Sequence, residues 1–228
     1  MGTQVHYEIQ QLPLDACVTP LFNDRFVVTF SVVTQNIVLL LKSNRPRNLA
    51  AFRISRKHHA AVLFEGKLTI LGGVWNGQLL SSVEEYDFNE DCWKTRANMP
   101  VPAENCAVCE HTRCLYVYSG GAFIQKRAQD VWAELTITPV PGHFFSLASV
   151  GDHLFIFGDA KVYARLSGIS SEQFSCPWKI NRCASSPVVA GNRILLLAQN
   201  SIVGFGVEAS SLIPLKQPLI GVDQPPHY

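Results

Sequence analysis

The sequence predicts an all-β fold, a β-propeller built from four-stranded antiparallel blades, with about five repeats visible in the chain. The main observation is a strand-like segment that ends in paired glycines, at Gly72-Gly73 and again at Gly120-Gly121. Weaker copies end near Phe30, Gly158 and Ala198, so the pattern returns roughly every 40 to 50 residues. A second observation is that the segments between these strand ends are also predicted to be short strands, as in the blade of a propeller.

The best-defined repeat covers residues 56–100, and each of its predicted strands carries characteristic residues, which we call its marks. Paired glycines allow the backbone to leave the second strand through torsions that a side chain would obstruct. Large aromatic side chains in the third and fourth strands can fill the wedge between neighbouring blades. The marks occur in a fixed order, which is His58-His59, Gly72-Gly73, Tyr86-Asp87, Trp93 and Met99-Pro100.

This order of marks resembles a Kelch repeat, and residues 56–121 match that pattern closely. The chain as a whole resembles the C-terminal Kelch domain of BTB–BACK–Kelch proteins, also called Kelch-like proteins. The resemblance implies a Kelch-type β-propeller. Trp93 and Trp178 fall about 20 residues after the glycines of their repeats, and both are expected in blade cores. Trp132 is expected on the third strand of its repeat.

The predicted repeats differ in how well they keep these marks. The first has lost both glycines and the tryptophan, so its blade is expected to be degenerate. A single propeller domain is expected over residues 1–216, with a C-terminal tail over 217–228. The repeats fall near residues 16–52, 56–100, 103–139, 143–179 and 184–215, and residues 5–13 resemble a strand of a sixth.

The number of strands leaves two arrangements open. Five blades plus one strand make about 21 strands, whereas six blades need about 24. Open blade edges invite aggregation, so a propeller closes by pairing its ends. We therefore expect either a five-bladed ring with a spare strand or an incomplete six-bladed ring that belongs to a longer protein.

Composition and charge argue against several classes of protein. The 228 residues are 47% hydrophobic and 16% charged, as in globular domains rather than disordered ones. A net charge of +1 without a basic run argues against nucleic acid as the main partner. The most apolar stretch, residues 26–41, is interrupted by polar residues, so no membrane insertion is expected. Because no targeting signal is evident, we expect a cytoplasmic protein.

Cysteines and histidines are the candidates for metal binding or catalysis. Cys106, Cys109 and Cys114 surround His111, but strand alternation should place the first two on opposite faces of a sheet. Zinc needs its ligands on one side, so ordinary thiols are the main expectation and redox sensing an alternative. The histidines share no motif, so we expect no catalytic residue, cofactor or metal, and no enzymatic activity.

The resemblance also implies where a partner would bind. In Kelch propellers the loops that join second to third strands, and each blade to the next, gather on one face. Exposed aromatic and arginine side chains beside a polar rim are common at binding hot spots. The candidate partner-binding face comprises Arg56, His58, Trp75, Asn76, Glu104, Asn105, Phe123, Gln125, Arg127 and His143.

One departure from the family bears on the ligand. Family members that bind acidic peptides repeat an arginine at the start of each first strand. In this chain Arg56 or His58 lies near that place in the second repeat, but Glu104, Phe144 and Ala184 lie near it elsewhere. We therefore expect a ligand of mixed polarity rather than a strongly acidic peptide.

A protein–protein interaction module is the function that the resemblance implies. We expect a substrate-recognition or adaptor propeller related to cullin-type ubiquitin ligase receptors, with a protein or peptide ligand on the loop face. Contact with a cullin-type ligase would use BTB and BACK domains, which these residues do not resemble. A cytoskeletal, actin-associated or trafficking scaffold is the alternative, and a Kelch-type propeller enzyme is the third class.

Overall fold

The described part of the chain consists of antiparallel strands and their connections. It divides into an N-terminal unit, Met1–Glu104, and a C-terminal unit, Asn105–Tyr228. The predicted all-β propeller fold with four-stranded antiparallel blades is confirmed. The computed structural model describes residues 16–21, 25–32, 35–42, 47–119, 122–126, 130–160, 162–167, 170–175, 187–198, 201–208, 211–214 and 220–221.

The first sheet belongs to the N-terminal unit and has the strand order β1-β2-β3-β4. Its central strand β2 is buried on both faces, and Val27 and Val28 are each at most 1% exposed. Its outer strand β4 is only two residues long. The strands are β1 (Cys17–Pro20), β2 (Arg25–Val32), β3 (Gln35–Lys42) and β4 (Arg47–Asn48).

The second sheet has the order β10-β9-β6-β5, and a separate hairpin, β7–β8, lies between its second and third strands. The two residues of the turn between β5 and β6, Glu65 and Gly66, both have positive φ, as in the hairpin turns that match strand twist. The strands are β5 (Ala60–Phe64), β6 (Lys67–Leu71), β7 (Val74–Trp75), β8 (Gln78–Leu79), β9 (Val83–Asp87) and β10 (Cys92–Arg96).

A shared apolar core joins the first and second sheets. Trp93 lies in it as the sequence predicts, with its ring centroid 5.2 Å from that of Tyr86 and 5.9 Å from that of Phe52. The indole nitrogen donates to the carbonyl of Ala50 at 2.6 Å, so the one polar atom of this buried ring is paired. The core comprises Val27, Val38, Phe52, Ala61, Leu68, Ile70, Tyr86 and Trp93.

The C-terminal unit holds three further sheets of consecutive antiparallel strands. The third comprises β11 (Ala107–His111), β12 (Cys114–Ser119), β13 (Ala122–Lys126) and β14 (Trp132–Leu135). The fourth comprises β15 (Phe145–Val150), β16 (His153–Gly158), β17 (Val162–Ser167) and β18 (Ser170–Ser175). The fifth comprises β19 (Val188–Ala190), β20 (Arg193–Ala198), β21 (Ser201–Glu208), β22 (Ser211–Pro214) and β23 (Ile220–Gly221).

Apolar clusters hold these three sheets together. Ala107 and Tyr118 of the third sheet pack with Ile156 of the fourth. Phe157 of the fourth sheet lies 5.4 Å, centroid to centroid, from Phe205 of the fifth. Ile156 and Phe157 are neighbours in β16, so adjacent residues of this strand meet different sheets, which is the packing expected of successive blades.

Some predictions about particular strands need correction or fall outside the described residues. Trp132 opens β14, the fourth strand of its sheet, and not the third. Within the predicted tail, Ile220–Gly221 pairs with β21. Residues 5–13 and Trp178 lie outside the part of the chain that the structure describes. Among the described residues, no helix is long and apolar enough to span a bilayer.

Candidate functional site

A small hairpin projects from the second sheet between β6 and β9. Val74 pairs with Leu79 and Trp75 with Gln78, and the two residues between them are Asn76 and Gly77. Their φ angles are 49° and 76°, which is the left-handed conformation that a two-residue turn of this kind requires at both positions. The family pattern predicts a loop here, whereas the structure shows a hairpin, for which Asn-Gly is a strong signal.

The hairpin is bound to the segment that precedes the sheet. The amide of Lys57 donates to the carbonyl of Val74 at 3.0 Å, and the amide of Val74 donates back to the carbonyl of Lys57 at 2.8 Å. At the base, the amide of Leu80 donates to the carbonyl of Gly73 at 2.8 Å. Two loops that the family resemblance assigns to one face therefore lie side by side in the N-terminal unit.

The paired glycines make room for a third segment. The amide of Gly73 donates to the carbonyl of Ala103 at 2.8 Å, and the amide of Ala103 donates to the carbonyl of Leu80 at 3.1 Å. A Cβ on Gly72 would collide with the carbonyl of Ala103, and a Cβ on Gly73 would lie 2.6 Å from the carbonyl of Lys57. Both glycines are thus required by close backbone approach as well as by positive φ.

These three segments form one surface of the N-terminal unit, which we call the hairpin platform. Trp75, His58 and Glu104 are half-buried on it, and Leu79 is 49% exposed. Asn76 is exposed at the turn. The hairpin platform consists of residues 57–58, 74–79 and 104.

Arg56 supports the platform from below and is not on its surface. The residue is fully buried, so the prediction that it belongs to an exposed face is wrong. Its five N–H donors are all used: Nε donates to the carbonyl of Ile54, and the two terminal nitrogens to the carbonyl of Gly72, to the carbonyl and Oγ of Ser82, and to Glu84. Planar guanidinium geometry suits several fixed acceptors of this kind.

Glu84 completes the buried charge pair. Its Oε1 lies 2.7 Å from the guanidinium of Arg56 and also accepts from the amide of Ile54, while Oε2 accepts from the amide of Arg53 at 2.8 Å. Burial lowers the pKa of Arg56, and the charge of Glu84 opposes that change. Through these contacts the buried pair fixes the local backbone. Removing either partner would be costly, because it would leave an unpaired buried charge.

His59 lies beside this pair and is equally enclosed. Its Nε2 is 2.8 Å from Oγ1 of Thr29, and its carbonyl accepts a hydrogen bond from the thiol of Cys17 at 2.8 Å. Burial lowers the pKa of His59 to about 3, and the charge of Arg56 adds to the effect. The imidazole is therefore neutral at neutral pH and joins the first sheet to the second.

The C-terminal unit fastens one pair of loops in a similar way. His143 is exposed, and its amide donates to Oδ1 of Asp159 at 2.8 Å. The amide of Asp159 in turn donates to the carbonyl of Phe144 at 3.1 Å. His143 therefore lies in a loop that is held against the end of β16.

Of the four remaining predicted residues, two lie in a strand, one precedes a strand and one is outside the described part of the chain. Phe123 and Gln125 are in β13, where they pair with Tyr118 and Tyr116, so their assignment to a loop is wrong. The reason is that only residues 120–121 separate β12 from β13. Asn105 precedes β11 with a φ of 52°, and Arg127 lies outside the described residues.

The cysteine cluster does not assemble a metal site among the described residues, where no group of three or more candidate ligands is brought together. Cys109 and His111 both lie in β11, opposite Tyr116 and Cys114. Burial raises the pKa of the Cys109 thiol. A protonated thiol is a poor ligand and a poor nucleophile.

Comparison with known proteins agrees with the pattern of marks in the sequence. The model of the Kelch motif matches residues 55–100. Kelch repeat and BTB domain-containing protein 8 of Rattus norvegicus is 41% identical over 81 residues, which cover 33% of this chain and 14% of that protein. Kelch-like protein 6 of Homo sapiens is 31% identical over 108 residues, covering 46% and 17%.

Two further similarities extend the comparison. Alpha-scruin of Limulus polyphemus is 30% identical over 83 residues, covering 36% of this chain and 9% of that protein. The matched regions thus span only 9% to 17% of the lengths of these relatives. The solved structure of YjhT superposes with a TM-score of 0.66 at 10% identity, over 91% of this chain and 84% of that one, which shows the fold alone. The chain contains a Kelch motif at residues 55–100, has a β-propeller fold, and resembles the Kelch domain of the Kelch-like proteins.

Proposed function

We propose that this chain is a substrate-recognition or adaptor module that binds a protein or peptide at the hairpin platform. The observation that carries the proposal is the hairpin itself, because it places an exposed Leu79 and a half-buried Trp75 on a backbone fastened from three sides. A rigid, preformed surface loses little conformational freedom on binding, so more of the contact energy appears as affinity.

The side chains of the platform are of the kinds found at protein interfaces. Tryptophan is enriched among residues that dominate binding energy, and it acts best when polar neighbours exclude water around it. Around Trp75 those neighbours are Asn76 and Gln78, which are both exposed. A partner that covers the hairpin would therefore bury an apolar centre inside a polar rim.

The relatives support an interaction role over catalysis. Kelch-repeat propellers are generally interaction modules without enzymatic activity. Two of the relatives are named as Kelch-like or as Kelch and BTB proteins. On this basis we assign the chain to the recognition part of a cullin-type ubiquitin ligase receptor, and we assign ligase binding to other domains of such a receptor.

Capture of a partner from cells by the purified 228-residue chain tests the platform. Trp75→Ala removes the large side chain of the hairpin, and we expect it to abolish capture of the partner that the unchanged chain retains. Quantitative mass spectrometry of the bound fractions gives the measurement. Phe88→Ala is the matched control, because Phe88 is a 37% exposed aromatic in the turn at the other end of the same sheet.

Equal capture by Trp75→Ala and the unchanged chain would contradict the proposal. Sedimentation with actin filaments measures the alternative scaffold role in the same preparations. Filament binding that is insensitive to Trp75→Ala would favour a scaffold over a recognition module.

A further inference from the structure

Two cations of the segment that precedes β5, one of which belongs to the hairpin platform, lack an ion-pair partner among the described residues. Arg53 and Lys57 are both exposed, and neither has a carboxylate within salt-bridge distance there. Elsewhere in the N-terminal unit, several cations are paired with nearby carboxylates. These pairs are Arg47–Asp91, Arg56–Glu84, Lys94–Asp87, Lys94–Glu90 and Arg96–Glu85.

The backbone of both cations is fixed although their side chains are not paired. The amide of Arg53 donates to Glu84, and Lys57 is bonded through both its amide and its carbonyl to Val74. Because Arg56 and Glu84 neutralise each other, the buried layer beneath contributes little net charge. The surface charge of this segment is therefore set by Arg53 and Lys57.

The rest of the surface near Lys57 is formed by apolar residues and one acidic residue. Glu104 is the carboxylate of the platform; it is half-buried and forms no salt bridge with either cation. Val74 is paired with Lys57 on one side and with Leu79 on the other, so the cation and the exposed leucine flank the same residue of β7. The platform thus combines a cation and a carboxylate with the exposed Leu79.

We propose that the partner of the platform presents an extended segment in which an acidic side chain stands next to an apolar one. The acidic group pairs with Lys57, with Arg53 of the same segment adding positive charge, and the apolar group covers Leu79, which the pairing with Val74 places on the same face as Lys57. This inference rests on the proposed function and specifies its ligand. It also agrees with the mixed polarity expected from the sequence, since an isolated pair of cations does not require a strongly acidic peptide.

Selection from a phage-displayed library of random dodecapeptides, panned on the 228-residue chain, tests this chemistry. We expect enrichment of peptides in which Asp or Glu neighbours Leu, Ile, Phe or Trp. Affinity of a selected peptide should fall as salt is raised, because exposed charge pairs are screened. It should fall roughly fivefold on Lys57→Glu and further on the double change with Arg53→Glu, as expected for exposed ion pairs.

A matched control separates the effect of a local ion pair on affinity from the effect of the overall charge of the chain. Lys67→Glu makes the same charge change at the far end of β6, beside the turn at Glu65 and Gly66, and should leave affinity unchanged. Thermal unfolding of each variant shows that the fold is retained. Panning on the Lys57→Glu variant should enrich Lys or Arg in place of Asp or Glu.

The outcomes distinguish this inference from the proposed function. Peptides whose binding depends on Trp75 but which show no enrichment of Asp or Glu would overturn the inference and leave the binding role of the platform intact. Peptides that bind equally well to the Trp75→Ala variant would overturn both. An equal loss of affinity in Lys67→Glu and Lys57→Glu would also overturn the inference.

Discussion

The second and third sheets follow the same plan, yet only the second carries the hairpin platform. Both are four-stranded and both have paired glycines after their second strand. In the second sheet, eleven residues, 72–82, separate β6 from β9, whereas in the third only residues 120–121 separate β12 from β13. The repeat therefore sets the framework, and the length of one connection decides whether a binding surface is built on it.

The two sheets also differ in what lies before their first strands. The second has Arg56, buried against Glu84, while the corresponding place before the third sheet is near Glu104. The third sheet instead fastens a later segment through Tyr118, whose hydroxyl accepts from the amide of Val140 at 2.8 Å. In the second sheet the long connection is therefore anchored at both ends, because Arg56 donates to the carbonyls of Gly72 and Ser82.

Removal of the charged anchor should have the largest effect. Arg56→Ala leaves Glu84 buried without its cation, and we expect it to lower the free energy of unfolding by about 3 to 5 kcal/mol. Chemical denaturation monitored by tryptophan fluorescence gives the value. Arg47→Ala is the control, because its pair with Asp91 is exposed and should contribute less than about 1 kcal/mol. Equal losses in the two variants would refute the anchor.

Substitution of the glycines tests the framework next. Gly73→Ala combines a φ of 98° with a Cβ only 2.6 Å from a carbonyl, so we expect a loss of about 3 kcal/mol in the free energy of unfolding. Gly77→Ala has open space around its Cβ and should cost about 1 kcal/mol through φ alone. Chemical denaturation of both variants shows whether close backbone approach or positive φ makes glycine necessary at position 73. Equal losses in the free energy of unfolding would rule out close approach as the reason.

Acidification tests the polar contact between the first and second sheets. Because burial lowers the pKa of His59 from 6.5 to about 3, the unfolded chain binds a proton that the folded chain does not as pH falls below 6.5. The resulting loss is about 2 kcal/mol at pH 5 and continues to grow towards pH 3. Unfolding of the unchanged chain and of His59→Gln at pH 7 and pH 5 gives the difference. An identical pH dependence in both would contradict the burial of a neutral imidazole.

Much of the framework could be predicted because it depends on local chemistry. Paired glycines and a buried Trp93 are visible as residue types at fixed spacing, and the structure gives each the role expected. The burial of Arg56 could not be predicted, because its partner Glu84 is 28 residues away and no local pattern indicates that contact. The strand position of Phe123 and Gln125 could not be predicted either, because paired glycines after a second strand do not indicate how long the following connection is.

The central claim is that a partner binds the hairpin platform, and hydrogen exchange measures it most directly. Amide exchange of the 228-residue chain would be compared with and without a bound partner or selected peptide. The account predicts slower exchange at residues 57–58 and 74–80, with no change in the far turn at residues 87–92. Protection confined to the far turn, or to the C-terminal unit, would contradict it.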